Sequence, residues 1–278
     1  MRAYFINDLH IDQWVKTQSK SGFVSTATYK KLLEKWCLPA DAIFIAGDIA
    51  SSVNAVYATF AVLSRMYEHI FYCYGNHEMR VTDDDRARGL NTYTKRERIE
   101  QFIETAANNQ DKVSIIKGTT AYKKGVRVSG SMGYADGRFS ISQAVEHDWL
   151  ETNDSRRFEL GWASNLSEIA DYENEALLRI IEKEPMSKVI MSHFAPYQLL
   201  DKSDFSKGFD PGLSTFDASE MLKKVRDGAI WHFGHVHDKI LREVDVDGKK
   251  IVAVNNSMGT REKAPKNDIP REEFLLTV

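Results

Sequence analysis

The chain has 278 residues, of which 42% are hydrophobic and 28% are charged, and its net charge is −3. This composition is typical of a globular protein and excludes a disordered chain, and the length is sufficient for one large α/β domain. A dedicated duplex-binding protein usually has an excess of basic residues, which this chain does not have. Duplex nucleic acid is therefore not expected as a partner.

The first predicted strand, "AYFI", begins at Ala3 and leads directly to Asp8. Charge therefore appears too early for a secretory signal, and no apolar segment approaches the roughly 20 residues that cross a membrane. Cys37 and Cys73 are far apart and form no CxxC pair, so no disulfide framework is expected. We expect a cytoplasmic protein with no membrane partner, and the oligomeric state stays open.

Short apolar runs bounded by Gly, Asn, Asp or Ser predict buried strands along the chain. These runs are "AYFI", "AIFIA", "IFYCY", "VSII", "VRVSG", "VIMS", "AIWHF", "ILREVDV" and "IVAVN". Helical patterns occur at "AVYATFAVLSRMYE", "TKRERIEQFIETAANN", "NEALLRIIEKE" and "FDASEMLKKVR". In the second of these helices, Thr94 and Glu97 have the spacing of a capping box.

The order of these elements predicts the architecture. Early alternation of strands and helices favours parallel βαβ units, and the last two strands form a predicted hairpin through Asp247 and Gly248. No repeat or linker divides the chain, so we expect one domain over residues 1–278 with a layered α/β structure and a mixed sheet. Residues 79–93, 134–165 and 196–215 fit no regular element, and long segments of this kind are either functional caps or mobile loops.

Polar residues follow five of the predicted strands. They are Asp8 and His10, then Asp48, then Asn76, His77 and Glu78, then His193, and finally His235 and His237. Each cluster has an ordinary structural explanation when it stands alone, such as an N-cap or a turn. Together they place five of the eight histidines at the carboxyl ends of strands, where open α/β sheets bind ligands. The sequence therefore predicts one functional site.

The side chains in these clusters favour a pair of metal ions. Carboxylates, imidazoles and an amide suit manganese, iron or zinc, and the absence of thiolates argues against a zinc finger or an iron–sulfur cluster. His235 and His237 point to the same side if their segment is extended. A carboxylate can bridge two ions about 3.5–4 Å apart, and such a pair can lower the pKa of a bound water from 15.7 to about 7. This is the chemistry of phosphoester hydrolysis.

The ordered motifs "DLH", "GD", "GNHE", "SH" and "GHVH", from Asp8 to His237, resemble those of the calcineurin-like metallophosphoesterases, also called the purple acid phosphatase-type superfamily. The resemblance implies an α/β fold with a two-sheet β-sandwich flanked by helices. It also implies two divalent metal ions, with manganese favoured. The implied ligands are Asp8, His10 and His237 for one ion, Asn76, His193 and His235 for the other, and Asp48 as the bridge.

The resemblance also assigns roles beside the metals. His77 and Asp48 would be catalytic, with His77 donating a proton or a hydrogen bond to the ester, and Glu78 would orient the turn or a ligand. Many family members carry a second acidic residue where this chain reads "GDIASS", but that position is not a required ligand.

Several residues near the long segments are candidates for substrate contact and equally for a solvated surface role. They are Arg80, Tyr134, Arg138, Tyr197 and Arg261. Three histidines carry less weight, namely His69, His147 and His232. For His232 the sequence favours a packed, hydrogen-bonded position in a strand.

We expect a dinuclear metal-dependent phosphoesterase in which metal-activated water hydrolyses a small phosphodiester or phosphomonoester. One alternative is a nuclease acting on single-stranded or structured nucleic acid, which a continuous basic groove would favour. The other is a non-catalytic binding or scaffold protein with the same fold, and the complete set of motif residues argues against it. The sequence does not name the substrate.

Overall fold

The computed structural model describes residues 1–15, 25–106, 111–159, 163, 165–205, 210–259 and 271–278. In these ranges the strands are β1 (Arg2–Ile6), β2 (Ala42–Ala46), β3 (His69–Cys73), β4 (Val113–Ile115), β5 (Thr119–Lys123), β6 (Val126–Gly130), β7 (Val189–Met191), β8 (Ala195–Pro196), β9 (Thr215–Phe216), β10 (Ile230–His232), β11 (Lys239–Val246), β12 (Lys249–Asn256) and β13 (Leu275–Thr277).

The α-helices in the same ranges are α1 (Ile11–Val15), α2 (Thr26–Trp36), α3 (Val53–Met66), α4 (Asn76–Met79), α5 (Asp83–Ala87), α6 (Thr92–Thr105), α7 (Val145–Leu150), α8 (Asn153–Arg157), α9 (Leu166–Lys183), α10 (Pro211–Ser214) and α11 (Ser219–Lys224). Short 3₁₀ helices lie at Tyr197–Leu199, Lys202–Phe205 and Glu272–Phe274. No described helix is long and apolar enough to cross a membrane.

The strands form two main sheets. The first has the order β13-β1-β2-β3-β4, and its four N-terminal strands are parallel. The second has the order β11-β12-β10-β7-β6-β5, with parallel central strands and an antiparallel strand at each edge. Helices flank the two sheets. The predicted α/β class with two sheets and flanking helices is therefore confirmed.

An aromatic ladder joins the central strands of the first sheet. Phe5, Phe44 and Phe71 are in register on β1, β2 and β3, and their rings stack with centroids 4.7 and 4.6 Å apart. His232 of the second sheet meets the Phe5 ring edge-on at 5.1 Å. The ladder thus lies between the two sheets, and its register makes β1, β2 and β3 end at the same edge.

One predicted helix start is wrong by two residues. Helix α6 begins at Thr92 and not at Thr94, because the Asn91 side chain accepts the backbone N–H of Thr94 at 2.9 Å. Thr94 closes this capping box by accepting the Asn91 N–H at 2.9 Å, so the predicted box of Thr94 with Glu97 is not formed. Asparagine is as good an N-cap as threonine, and the sequence pattern did not distinguish them.

The predicted C-terminal hairpin is confirmed. Strands β11 and β12 pair along their whole length, and Asp247 and Gly248 turn the chain with φ values of 52° and 80°. Positive φ at both turn residues is the conformation that Asp-Gly favours.

The three long segments contain short elements. Residues 79–93 include α5, residues 134–165 include α7 and α8, and residues 196–215 include β8, α10 and β9. Residues 79–93 and 134–165 carry side chains to the carboxyl edge of the sheets, as the contacts below show.

Candidate metal centre

Five of the polar residues predicted for the site have left-handed backbones. The φ values are 49° for Asp8, 40° for His10, 56° for Asp48, 68° for His235 and 48° for His237. Non-glycine residues rarely adopt this conformation, and such strain concentrates at functional sites. The other described non-glycine residues with positive φ lie in exposed turns. The sharp turns return the five side chains towards one another at the strand ends.

Two glycines allow the loops after β2 and β3 to touch. A Cβ on Gly47, whose φ is 79°, would lie 2.6 Å from the backbone nitrogen of Gly75. A Cβ on Gly75 would lie 2.2 Å from Oδ1 of Asp48. The "GD" and "GNHE" motifs therefore need glycine for close approach of the two chains.

Glu78 connects the same two loops. Its carboxylate accepts the backbone N–H groups of Gly75 at 2.8 Å, Asp48 at 3.0 Å and Ala50 at 3.1 Å. Burial raises the pKa of Glu78, although hydrogen bonds from Gly75 and Ala50 oppose the rise. Glu78 thus orients the turns that carry Asp48 and Asn76.

Asp8, His10 and His237, which we call the first group, lie on one side of Asp48. Each of these four residues offers a ligand atom within 4.8 Å of the others. Nε2 of His10 lies 3.0 Å from Nε2 of His237 and 3.6 Å from Oδ2 of Asp48. Nε2 of His237 lies 3.6 Å from Oδ1 of Asp8. The four side chains converge on one point.

Asn76, His193 and His235, the second group, lie on the other side of Asp48. Nε2 of His193 is 2.9 Å from Oδ1 of Asn76 and 3.4 Å from Oδ1 of Asp48. Nδ1 of His193 is 2.8 Å from the Ala46 carbonyl and donates to it, which leaves Nε2 with its lone pair. The His235 ring lies 5.3 Å from the His193 ring, centroid to centroid. Asp48 therefore directs one carboxylate oxygen to each group.

The "GHVH" segment is not extended, so the condition under which His235 and His237 would point to the same side is not met. His235 and His237 both have positive φ, and the chain turns at each of them. Gly234 packs so tightly that an added Cβ would lie 2.9 Å from the Ala46 carbonyl oxygen. As a result, His237 joins the first group and His235 joins the second.

The protonation states of the cluster fit divalent metal ions. Burial is the main cause that lowers the pKa of His10 and of His235 to about 3, so both imidazoles are neutral near pH 7 and offer lone pairs. Burial, Glu78 and Asp8 raise the pKa of Asp48. Burial acts in the same direction on Asp8, but His237, His193 and His10 outweigh it and lower the pKa of that carboxyl. Buried carboxylates need a nearby positive charge, which a bound cation supplies.

His77 lies at the open side of the cluster. Its backbone N–H donates to Oδ1 of Asp48 at 2.8 Å, and its Nδ1 is 2.8 Å from Oγ of Ser51. Its Nε2 contacts the guanidinium of Arg80. The His77 side chain is 15% exposed, and the side chains of Arg80 and His237 are each 16% exposed. The side chains of His10, Asp48 and His193 are only 0–2% exposed. A substrate therefore meets His77, Arg80 and His237 first.

Two supporting residues were missed because they carry no motif. Asn7 donates to Oδ2 of Asp8 at 2.5 Å and to Oδ1 of Asn255 at 2.7 Å. Its own Oδ1 lies 3.3 Å from Nε2 of His232, which is packed in β10 as the sequence favoured. Lys95 is fully buried, and its ammonium contacts the carbonyl oxygens of Ser51 and Arg80, both at 2.5 Å. It therefore fixes the two residues that touch the His77 ring.

Asp154 is the third residue that was missed. It lies in residues 134–165, is buried, and accepts hydrogen bonds from Nδ2 of Asn76, Nε of Arg80 and the Tyr134 hydroxyl. Nothing distinguishes it in the sequence from neighbouring aspartates such as Asp148. Its contacts with Asn76 and Arg80 reveal its place in the site.

The remaining candidates lie elsewhere. Arg138 pairs with Asp217 at 3.0 Å, and the Tyr197 ring stacks on Phe139 with centroids 3.7 Å apart. His69 begins β3 at the end opposite the site, and His147 is exposed on α7. Arg261 lies outside the described residues.

Two of the cavities among the described residues bear on the site candidates. One of about 440 Å³ reaches the site through Ser51, and Asp83, Asp84, Arg88 and Arg157 are among its lining residues. Another, of about 600 Å³, is lined by residues that include Arg138, Asn174 and Asp217, and none of the predicted metal ligands borders it.

A protein family and several solved structures are similar to this chain. The family model for calcineurin-like phosphoesterases matches residues 1–239. The crystal structure of phosphopantetheinyl hydrolase (PptH) from Mycobacterium tuberculosis is similar, with a TM-score of 0.65 and 16% identity over 97% of this chain and 94% of that one. Sulfate thiohydrolase SoxB from Thermus thermophilus is 12% identical, with a TM-score of 0.41 over 92% of this chain and 51% of that one. No curated protein sequence matches the chain.

Proposed function

This chain belongs to the calcineurin-like phosphoesterase family, and on that basis we propose that it is a dinuclear metal-dependent phosphoesterase. We further propose that its substrate is a small phosphodiester or phosphomonoester. The observation that carries the proposal is the position of Asp48, which directs Oδ2 towards His10 at 3.6 Å and Oδ1 towards His193 at 3.4 Å. One carboxylate placed between two sets of oxygen and imidazole donors is an arrangement that can bridge a pair of ions.

The proposed ligands follow from this arrangement. The first group would hold one ion, the second group would hold the other, and Asp48 would contact both. The donors are oxygens and imidazole nitrogens, which suit manganese, iron or zinc, and we favour manganese. When bound, the two ions would supply an activated water at neutral pH and would neutralise the phosphate charge.

The chain's own residues supply position and protons. Oδ1 of Asp48 holds the His77 backbone N–H at 2.8 Å, so the residue that places the ions also places the proposed acid. His77 presents its ring at the open side, where it donates a proton or a hydrogen bond to the ester oxygen that leaves. Burial lowers the pKa of His77 well below its ordinary value, so the ring is neutral before substrate binds. The negative charge of the bound phosphate would favour its protonated form.

Arg80 is the proposed contact for a non-bridging phosphate oxygen. Its guanidinium touches the His77 ring and is held from behind by Asp154, with Nε 2.5 Å from Oδ1. A guanidinium fixed in this way can give two parallel hydrogen bonds to phosphate. His77 and Arg80 together form the edge of the site that faces the substrate.

The surroundings of the site support a small substrate. The cavity of about 440 Å³ beside Ser51 is lined by both signs of charge, including Asp83, Asp84, Arg88 and Arg157. A duplex binder needs a continuous row of cations for its several phosphate contacts. The acidic side chains at this border oppose such binding and favour a compact ester.

The test is a hydrolysis screen with Mn²⁺ added to the metal-stripped protein. It would include phosphomonoesters, phosphodiesters, cyclic nucleotides and single-stranded nucleic acid. A phosphopantetheine-bearing ester is a useful further probe, because PptH is named as a phosphopantetheinyl hydrolase. Asp48→Ala is the inactive control, and Asp148→Ala is the matched control outside the cluster.

We expect hydrolysis of at least one small ester that requires Mn²⁺ and is lost in Asp48→Ala. Cleavage of nucleic acid with no hydrolysis of small esters would establish the nuclease alternative. Binding of Mn²⁺ without turnover of any probe would favour the scaffold alternative.

A further inference from the structure

Asp154 connects residues 134–165 to the cluster from outside the five motifs. It lies on α8 with 6% of its surface exposed, and its two carboxylate oxygens are 3.0 and 3.1 Å from Nδ2 of Asn76. Oδ1 also accepts Nε of Arg80 at 2.5 Å, and Oδ2 accepts the Tyr134 hydroxyl at 2.9 Å. Three donors from different parts of the chain thus meet at one buried carboxylate.

We propose that Asp154 is a positioning residue that sets the side-chain amide of Asn76 for metal binding, an inference that rests on the proposed function. An amide has an oxygen and a nitrogen of nearly the same shape, and only the oxygen can bind a cation. An ionised carboxylate accepts hydrogen bonds and donates none, so Asp154 selects Nδ2 of Asn76. Oδ1 of Asn76 is then turned towards Nε2 of His193, 2.9 Å away.

The surroundings of Asp154 hold it in place. Its carboxylate pairs with the Arg80 guanidinium, whose Nε lies 2.5 Å from Oδ1, and it accepts the hydrogen bond of each of its three donors. Nε1 of Trp149 donates to the Tyr134 hydroxyl at 3.3 Å, which holds Tyr134 against Oδ2. The carboxylate therefore has partners on each side and little freedom to rotate away from Asn76.

The same contacts orient Arg80. Because Nε is bound to Asp154, the outer nitrogen of the guanidinium points to the His77 ring. Asp154 therefore holds two side chains with proposed roles. One is the Asn76 amide, which would bind metal, and the other is the Arg80 guanidinium, which would bind phosphate.

The loss of this carboxylate should be visible in metal affinity without any turnover. Removing an outer partner of a metal ligand typically costs about 10- to 100-fold in affinity or activity. In a titration of the metal-free protein with Mn²⁺, followed by the electron paramagnetic resonance signal of free Mn²⁺, we expect Asp154→Ala to weaken one of two sites by about that factor. The other site, and both sites of the control Asp148→Ala, should be unchanged.

A double-mutant cycle separates positioning from a general structural role. If Asp154 acts through Asn76, Asp154→Ala should cause no further weakening when Asn76 is already alanine. Equal weakening in both backgrounds would overturn the proposal, and so would unchanged Mn²⁺ affinity of Asp154→Ala.

If Asp154→Ala does not fold by circular dichroism, Asp154→Asn carries the test. It keeps the shape and one acceptor oxygen but loses the charge, so we expect weakening of one site by about 10-fold, the lower end of the range. Unchanged affinity in this variant would also overturn the proposal. If the unmodified protein binds no Mn²⁺, the proposed function itself fails, which is a different outcome from a variant that binds as the unmodified protein does.

Discussion

His10 and His237 on one side of Asp48 face each other with Nε2 atoms 3.0 Å apart, whereas on the other side His193 is tied to the Ala46 carbonyl and Asn76 is tied to the Asp154 carboxylate. In the first group, all three residues have positive φ, while in the second only His235 does. The first group is thus held by strained turns, and the second by hydrogen bonds that fix its donors in advance. The two proposed ion sites share a bridge but differ in how the fold prepares them.

This difference determines which observations are needed to identify each group as a set of metal ligands. The first group consists of carboxylates and imidazoles, so residue type and mutual distance are enough to identify it. The second contains an amide whose orientation depends on Asp154, a residue from a distant part of the chain. The mutations below would break or sharpen the comparison, in order of decreasing expected effect.

The largest effect is expected from Asp48→Ala, because it removes the one side chain that faces both groups. Metal analysis of the purified variant should find both ions lost. Turnover should fall by more than the roughly 10⁴-fold that a single acid–base group contributes. Two fully occupied ions in Asp48→Ala would contradict the bridging assignment.

Separate loss of the two ions is expected from His10→Ala and His193→Ala. Each variant removes a ligand from one group only, so the metal content should fall from two ions per chain to one. Metal analysis after exhaustive dialysis gives the counts. If either variant loses both ions, or neither, the division into two groups is wrong.

A smaller effect is expected from His77→Ala, because His77 belongs to neither group. Turnover should fall by about 10²- to 10⁴-fold while both ions remain. The loss should be smaller for esters with good leaving groups, since an oxygen that is already stable as an anion needs no proton. An undiminished rate on poor leaving groups would rule out the acid role.

The smallest effect is expected from salt. Because acidic side chains, including Asp83 and Asp84, line the cavity beside the site, we predict that the rate of hydrolysis of a small ester changes little between about 50 and 200 mM salt. Duplex binders with six to ten phosphate contacts lose about 10³- to 10⁵-fold in affinity over that range. Duplex binding that is tight and falls steeply with salt, together with strand cleavage, would promote the nuclease alternative.

Much of the fold was predictable from the sequence because buried strands have a local pattern. The runs "AIFIA" and "IFYCY" became β2 and β3, and Asp247 with Gly248 formed the predicted hairpin. Local patterns were less reliable where two residues offer the same chemistry, as for Asn91 and Thr94 at the start of α6. The turns at His235 and His237 in "GHVH" have positive φ, a conformation that non-glycine residues rarely adopt and that the local sequence did not indicate.

The candidate site was predictable only where residue type carries the chemistry. Asp8, His10, Asp48 and His237 were predicted from their motifs, and the structure brings them together. Asn7 and Asp154 act through hydrogen bonds to motif residues, and Lys95 acts through hydrogen bonds to Ser51 and Arg80 beside them. Most of these bonds join residues far apart in the chain. The long segment that carries Asp154 has no period or motif from which these contacts follow.

The most direct test of the bridged pair is a crystal structure of the Mn²⁺-loaded protein with anomalous scattering recorded for manganese. We predict two anomalous peaks about 3.5–4 Å apart on either side of Asp48, one in contact with the first group and one with the second. A single peak, or two peaks that do not share the Asp48 carboxylate, would contradict the account.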